Sequence, residues 1–402
     1  MFEIVILGGG IAGLTIAEHC AKQTKKPILL LERYQNVGGR IVTNKDPHKY
    51  EIGAGRIHVQ HHRVNALVKR FHLKTFPISA NNNFEKSPNE FYDLFEPIRN
   101  VLRTIPEKEL QTHTIAELLP KELHPLLAMF PYNAEFDKLR ADIAIPIFAN
   151  SENLGKEAEY YGIVGGMNQL TEGIRNELAK TQVEIRTRHR VNDVKQVNEG
   201  LFEITGQKGK KAEQTPFTIQ AKKVVIATEY RSFKEFSVLK NKPFLQHLTD
   251  SPLLRIYAVY PIVGNKVWFK DVSKTVTKSP LRHVIPIRPD SGLIMISYTE
   301  GEDTNFWRQK NDKKLQDAIQ AEVKNLFPDR VIPDPIYLKK HYWEQGCTYW
   351  KKGNYDIDKT LLEAQNPENN LYICGESVSR NQSWVESALE SVEQLVLANR
   401  GL

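Results

Sequence analysis

The sequence has little cysteine, no long apolar run and no extended block of like charge, and each shortage removes a class of function. Three cysteines, Cys20, Cys347 and Cys374, are widely spaced, odd in number and without a CxxC pair, so neither a disulfide framework nor a zinc site is indicated. The longest apolar stretches, such as PILLL and VVIA, stop far short of the ~18 residues that cross a bilayer. No membrane span is expected, no signal peptide is expected before the strand-like run beginning at Ile4, and the C-terminal LVLANRGL carries no hydrophobic tail. The expectation is a cytoplasmic protein.

Charge of one sign is only modestly in excess: 55 Lys and Arg against 48 Asp and Glu give +7. The cations come in short groups, among them QKGKK at 207 to 211 and RTRHR at 186 to 190, rather than in the long block that marks a nucleic-acid-binding tail. Nucleic acid is therefore not an expected partner; these groups read as solvated surface, with an anionic partner or substrate as the alternative. No Ser/His/Asp or paired-carboxylate constellation of a hydrolase is present. His58, His61 and His62 have no Cys or carboxylate following at ligand spacing and lead into a helix, so no metal site is expected.

What is present is enough apolar sequence, 41% of 402 residues, for two packed domains or one domain with a large insertion. FEIVILG, GGIAGLTIAEHCAK and PILLLER read as strand, helix and strand, a β-α-β unit with a parallel pair. From about 73 to 155 short helical pieces are broken by Pro77, Pro88, Pro97, Pro106, Pro120, Pro125 and Pro131, with a loop at Asn81, Asn82 and Asn83. Beyond it YYGIVGGMNQLTEGIRNELAK reads as a Gly turn and amphipathic helix, and VEIRTRHRVNDVKQV, LFEITGQ and FTIQAKKVVIAT as strands. LLRIYAVYPI and LIMISYT are further strands, 306 to 326 one amphipathic helix, and NLYICGE with SWVESALESVEQLVLAN a closing strand and helix. There is no internal repeat.

Gly8, Gly10 and Gly13 form GxGxxG between the first strand and helix. Glycine there permits a tight turn and close backbone approach to a pyrophosphate, which the N–H groups and dipole at the helix start favour. Glu32 ends the second strand, 19 residues after Gly13, where a carboxylate accepts both ribose hydroxyls of an adenosine. Together they indicate a dinucleotide site. Next comes Gly38-Gly39-Arg40, a second glycine pair with a guanidinium, which an NAD dehydrogenase does not need.

The ER then GGR pattern resembles the flavin-dependent amine oxidase superfamily, including monoamine and polyamine oxidases, L-amino-acid oxidases, protoporphyrinogen oxidase and carotenoid desaturases. YEIGAGRIH at 50 to 58, YGIVGGMNQL at 161 to 170, VEIRTRHRVNDV and the C-terminal LYICGES with SWVESALES continue the resemblance in the family's order. It implies FAD held by Gly8, Gly10, Ile11, Ala12, Gly13, Glu32, Arg33, Gly39, Arg40, Gly53, Ala54, Gly55, Arg56, Val191, Gly375, Glu376, Trp384 and Val385. The implied fold is α/β: a Rossmann-like FAD-binding domain with a parallel sheet and a discontinuous α+β substrate domain with a mixed sheet and a helical insertion. The expected boundaries are 1–75, 156–245 and 341–402 for the FAD-binding domain and 76–155 and 246–340 for the substrate domain.

The resemblance further implies that an amine's α-carbon delivers hydride to flavin N5, giving an imine, with O2 reoxidising the flavin to yield hydrogen peroxide. Trp384 matches one ring of the monoamine oxidase aromatic pair; Trp343, Tyr349 and Trp350 are candidates for the other, with a core role as the alternative for these aromatics. Gly346-Cys347 resembles the flavin-attaching pair of monoamine oxidases, but Thr348 replaces the tyrosine that follows, so non-covalent FAD is expected. Arg255 stands where the family carries a lysine that promotes reaction with oxygen; arginine stays protonated and is no base. Either another electron acceptor or an anionic substrate group then gains weight, or Arg255 is a structural ion-pair partner. Glu300, Glu302 and Asp303 could attract a polyamine but read better as the acidic start of a helix. Ser383 and Ser387 stand where relatives carry glycines around the aromatic. The rival functions are an oxygen-independent desaturase or dehydrogenase, a UDP-galactopyranose mutase, against which Arg40 in Gly-Gly-Arg speaks, and a protein that keeps FAD for structure alone.

Overall fold

A computed structural model describes residues 1–78, 82–85, 93–130, 133–149, 160–399 and 402. The chain divides into two compact units, the first of Met1–Ile78, Tyr160–Leu248 and Tyr355–Leu402, the second of Ser79–Glu159 and Thr249–Asn354. Residues 341–354, expected in the FAD-binding domain, fall in the second unit because they continue Tyr337–Trp350, a strand beside Leu248–Val259.

In the first unit the labelled elements are β1 (Phe2–Leu7), α1 (Ile11–Gln23), β2 (Ile28–Leu31), α2 (His62–Arg70), α3 (Asn168–Leu178), β3 (Val183–Arg186), β4 (His189–Asn198), β5 (Leu201–Lys208), β6 (Thr215–Ile226), β7 (Leu371–Ile373) and α4 (Val385–Ala398). The sheet runs β4-β5-β6-β1-β2-β3, with β7 also paired to β6. β1, β2, β3, the end of β6 and β7 are parallel. The sequence pattern changes with the pairing. TPFTIQA alternates along the start of β6, where it forms an antiparallel hairpin with β5; VVI is continuously apolar where β6 runs buried between β1 and β7. Helices α3 and α4 pack on α1, whose Ala12, Gly13, Ala17 and Ala21 are buried small residues that let helices approach, and Leu14, Leu170, Ile174, Leu389 and Val392 fill the core. The run VEIRTRHRVNDVKQV is two strands rather than one, broken at Arg188, which takes a left-handed φ of 57°.

The second unit holds a mixed sheet ordered 337–350, 248–259, 293–300, 283–288, 274–276 and 82–84; the three pairings from 248–259 to 274–276 are antiparallel and the last pair is parallel. Asn82 and Asn83, read from sequence as loop, lie in the strand Asn82–Phe84, and Pro77 lies in the first unit's strand Thr75–Ile78 rather than between helices. Pro97, Pro106, Pro120 and Pro125 stand at helix starts, where a missing N–H costs nothing; Asn81, Pro88 and Pro131 lie outside the described residues. The expected helix 306 to 326 is two, Thr304–Arg308 and Asp312–Leu326, because the Asn311 side chain accepts from the Lys314 N–H at 3.0 Å and starts a new helix. Leu315, Ile319 and Val323 of the longer helix pack on Leu254, Ile256, Ile294 and Ile296 of the sheet.

Candidate active site

The turn from β1 to α1 tolerates no side chain at its first and last glycines. Gly8 has φ +103°, and a Cβ there would sit 2.6 Å from the Ala227 carbonyl oxygen; a Cβ on Gly13 would sit 1.9 Å from the Gly8 carbonyl oxygen. At Gly10 the surroundings open, with the Gly39 Cα at 3.9 Å as the nearest atom to a built Cβ. The start of α1 has no side-chain cap and no acidic residue in its first turn, so its N–H groups and the positive end of its dipole suit an outside anion. The second glycine pair folds directly against this turn, the Gly38 N–H donating to the Gly9 carbonyl at 2.8 Å.

Glu32 is buried, and its two oxygens accept from the N–H groups of Gly9 and Tyr34, each at 2.8 Å. Burial pushes its carboxyl up from the ordinary value, while those two N–H groups and Arg33 pull the other way. Fixed in this way, each oxygen keeps lone-pair capacity for a hydroxyl. Arg33 pairs with Glu229 at 2.7 Å and lies 4.5 Å from the Tyr34 ring centroid. Val191 sits in edge strand β4 opposite Gly206, beside an irregularity in the ladder. An uncapped helix start and a glycine cradle, whose N–H groups donate to a diphosphate, and a buried carboxylate that accepts from ribose hydroxyls together suit an adenine dinucleotide, so these residues fit FAD.

The C-terminal motif joins this group across the chain. Arg40 pairs with the buried Glu376 at 2.7 Å, over a sequence separation of 336 residues. Glu376 also accepts from the Ser383 N–H at 3.2 Å, and the Gly375 N–H donates to Ser391 Oγ of α4 at 2.8 Å. Ser383 takes the left-handed φ of +75° that glycine favours. The backbone therefore keeps a glycine-like turn without the glycine. Ser387 ties the same turn by donating to the Asn381 carbonyl.

At the start of α4, Trp384 stacks on Tyr160, with ring planes 14° apart and centroids at 6.3 Å. The Arg56 guanidinium lies over both rings, 4.8 Å from Tyr160 and 5.3 Å from Trp384. Gly53, Ala54 and Gly55 bring Arg56 there: the Gly53 and Ala54 N–H groups bond the carbonyls of Val42 and Arg40, and Ile57–His58 pairs with the strand that begins at Tyr160. His61 packs edge-on to Trp384 at 5.0 Å; its Nδ1 accepts from the His58 N–H at 3.2 Å, which places the proton of the neutral ring on Nε2. Burial drives its pKa down to about 4, with Glu386 opposing and His58, Arg56 and His62 adding to the fall. Among the described residues, no cluster of three or more His, Cys, Asp or Glu is placed to hold a metal.

Sequence reasoning gave Tyr160 and Glu386 no role. Glu386 accepts from the Arg63 and Val64 N–H groups at 3.0 and 2.9 Å, capping α2 in place of a local side chain, so α2 and the Trp384 turn are held by one carboxylate. The absence of a Ser, Thr, Asp or Asn at the cap position of α2, which His61 occupies, was the available signal.

The remaining candidates lie in the second unit. Tyr349 and Trp350 are fully buried, and the Tyr349 hydroxyl donates to Glu300 at 2.8 Å. Glu300 is itself buried, which pushes its pKa to about 7, so it serves as the partner of a core tyrosine; Asp303 pairs with Arg282 at 3.1 Å. Trp343 is half-buried. Arg255 lies 4.8 Å from the Tyr298 ring centroid. Cys347 is buried and in no disulfide, as are Cys20 and Cys374.

The family described as flavin containing amine oxidoreductase matches residues 11–393 of this chain. The chain belongs to that family. It is thus a flavin-dependent oxidoreductase, and its family implies FAD. It is 20% identical to YobN of Bacillus subtilis (strain 168), provisionally named an L-amino-acid oxidase, over 97% of this chain and 92% of that one. It is also 20% identical to an L-amino-acid oxidase of Siganus canaliculatus, over 100% and 87%. Flavin-containing amine oxidase A of Bos taurus matches at 32% identity over 20% of this chain and 16% of the relative. A double mutant of putrescine oxidase shares the fold at TM-score 0.76 and 15% identity, with 100% of this chain and 99% of that one covered. No described helix of this flavoprotein is long and apolar enough to cross a membrane.

Proposed function

We propose that this flavoprotein oxidises small amines that carry an anionic group, α-amino acids being the simplest such class, with FAD held non-covalently. The observation that carries this reading is the Arg56 guanidinium laid over the stacked faces of Tyr160 and Trp384. Aromatic faces suit the amine and exclude water, and the guanidinium fork suits a carboxylate. Neutral His61 beside them adds no second cation at working pH. FAD, when bound, would supply the redox chemistry: acceptance of a hydride from the carbon bearing the nitrogen, with water hydrolysing the resulting imine and O2 taking the two electrons as hydrogen peroxide. The chain's residues fix the substrate's two ends and need no nucleophile.

Glu32 is suited to the adenosine ribose and the start of α1 to the diphosphate, and Arg40 with Glu376 ties the N- and C-terminal cofactor segments together. The burial of Cys347 beside the buried Thr348 supports a cofactor without a cysteine link. Non-covalent attachment is tested by acid precipitation, which should release the yellow flavin to the supernatant. The substrate class is tested by anaerobic bleaching of the flavin against paired amino acids and their decarboxylated amines, followed by oxygen and a peroxide assay. Faster bleaching by the amino acids is expected, and faster bleaching by the amines would sink that part of the reading. Arg255 favours a second reading for the oxidative half alone, in which an acceptor other than O2 serves. Bleaching by substrate with slow return of colour in air would select it.

A further inference from the structure

The two basic groups of the sequence that stand outside the active site, RTRHR and QKGKK, come together in the fold. The Arg188 N–H donates to the Tyr34 carbonyl at 2.8 Å, and the Gly209 N–H donates to the Arg188 carbonyl at 2.9 Å. These bonds close three segments around one groove: the residues just after β2, the start of β4 and the tip of the β5–β6 hairpin. The groove measures about 580 Å³ and is lined by Arg33, Tyr34, Gln35, Arg188, Arg190, Gly209, Lys210, Lys211 and Gln214. That volume falls in the range of small-molecule sites.

Its wall carries five cations and no carboxylate. Arg33 is paired with Glu229, but among the described residues no acid lies within ion-pairing distance of Arg188, Arg190, Lys210 or Lys211. Tyr34 is 56% exposed, and its ring, with Arg33 against it, gives the groove one flat wall. Four cations without partners repel one another, and a single monovalent ion would leave most of that repulsion standing; a chain of linked phosphates spans several of them at once.

We propose that this groove binds a small polyanion carrying at least two linked phosphates, either a bare oligophosphate or the phosphate chain of a nucleotide. The proposal does not rest on the substrate reading above. The test is calorimetric titration of the FAD-loaded protein with inorganic triphosphate and, separately, with ATP. One-to-one binding that weakens as salt is raised is expected. The Lys210→Gln/Lys211→Gln variant should bind at least about tenfold more weakly, with Arg190→Gln as a second variant, flavin content unchanged in both. The control Lys313→Gln/Lys314→Gln, which removes equal charge from a helix elsewhere, should bind as the parent does. Tighter binding of ATP than of triphosphate would assign the flat Tyr34 wall to a base, and equal binding would assign the site to the bare chain; both uphold it. No binding, equal weakening in the control, orthophosphate binding as tightly as triphosphate, or displacement of flavin by triphosphate would overturn it.

Discussion

Arg56 and Ser383 are the single residues on which the active-site reading turns. A guanidinium that pairs a substrate carboxylate contributes a charge-assisted bond, so Arg56→Met should lower kcat/KM for carboxylate-bearing amines by about 10- to 100-fold. For unsubstituted amines the same variant should change kcat/KM by less than about threefold, because the rings of Tyr160 and Trp384 remain. Equal losses for both classes would show Arg56 to be a support for the rings. Ser383, at φ +75°, holds a backbone conformation that costs a residue with a Cβ. Ser383→Gly should therefore leave denaturant stability unchanged or raise it by up to about 1 kcal/mol, whereas Ser383→Val should lower it by about 1–3 kcal/mol. Legibility at this scale was uneven. Gly8 and Gly13 were readable because sterics alone demand glycine there. Glu386 and Tyr160 were not, because a capping carboxylate and a stacking ring leave no mark on their neighbours in sequence.

At the scale of elements, α2 depends on α4. The α2 start has no side-chain cap of its own, and Glu386 supplies the acceptor for the Arg63 and Val64 N–H groups while also pairing with the Arg63 guanidinium at 3.2 Å. Glu386→Ala should cost about 1–2 kcal/mol of stability in urea unfolding, and Glu386→Gln, which keeps an acceptor, should recover part of it. Substrate KM should rise in the alanine variant, since Trp384 immediately precedes the helix that Glu386 anchors. An alanine variant as stable as the parent would remove Glu386 from this role. The parallel pair β1 and β2 was legible from the apolar runs IVIL and ILLL. The split of 304–326 into two helices was not, because the apolar spacing continues across the break and only the Asn311 cap interrupts it.

Across the whole molecule, two half-buried histidines set an acid limit. Burial lowers His61 in the first unit and His341 in the second to about 4, so each is neutral in the fold and basic once unfolded. Between their unfolded value near 6.5 and about 4 the unfolded chain binds more protons, so their contribution is complete above about pH 6.5 and is lost as pH falls through that window. Glu300, raised to about 7 by burial, acts in the opposite direction over the upper part of the same range. The difference in Tm between His61→Gln and the parent should therefore move in favour of the variant as pH is lowered from 6.5 to 4.5. A difference independent of pH would mean that His61 is not held neutral.

The sequence by itself determined the phosphate turn, the acid at the end of β2, the parallel pairing of β1 with β2 and the family. These rest on local demands: a glycine where no Cβ fits, a carboxylate one strand away, an apolar run buried on both faces. Only the tertiary structure decided that Arg40 meets Glu376, that Arg56 covers Tyr160 and Trp384, that Tyr349 serves the core with Glu300, and that two modest basic groups form one groove. Those pairings join residues tens to hundreds of positions apart, and charges or rings that far apart carry no shared pattern until the chain's packing brings them within reach of each other.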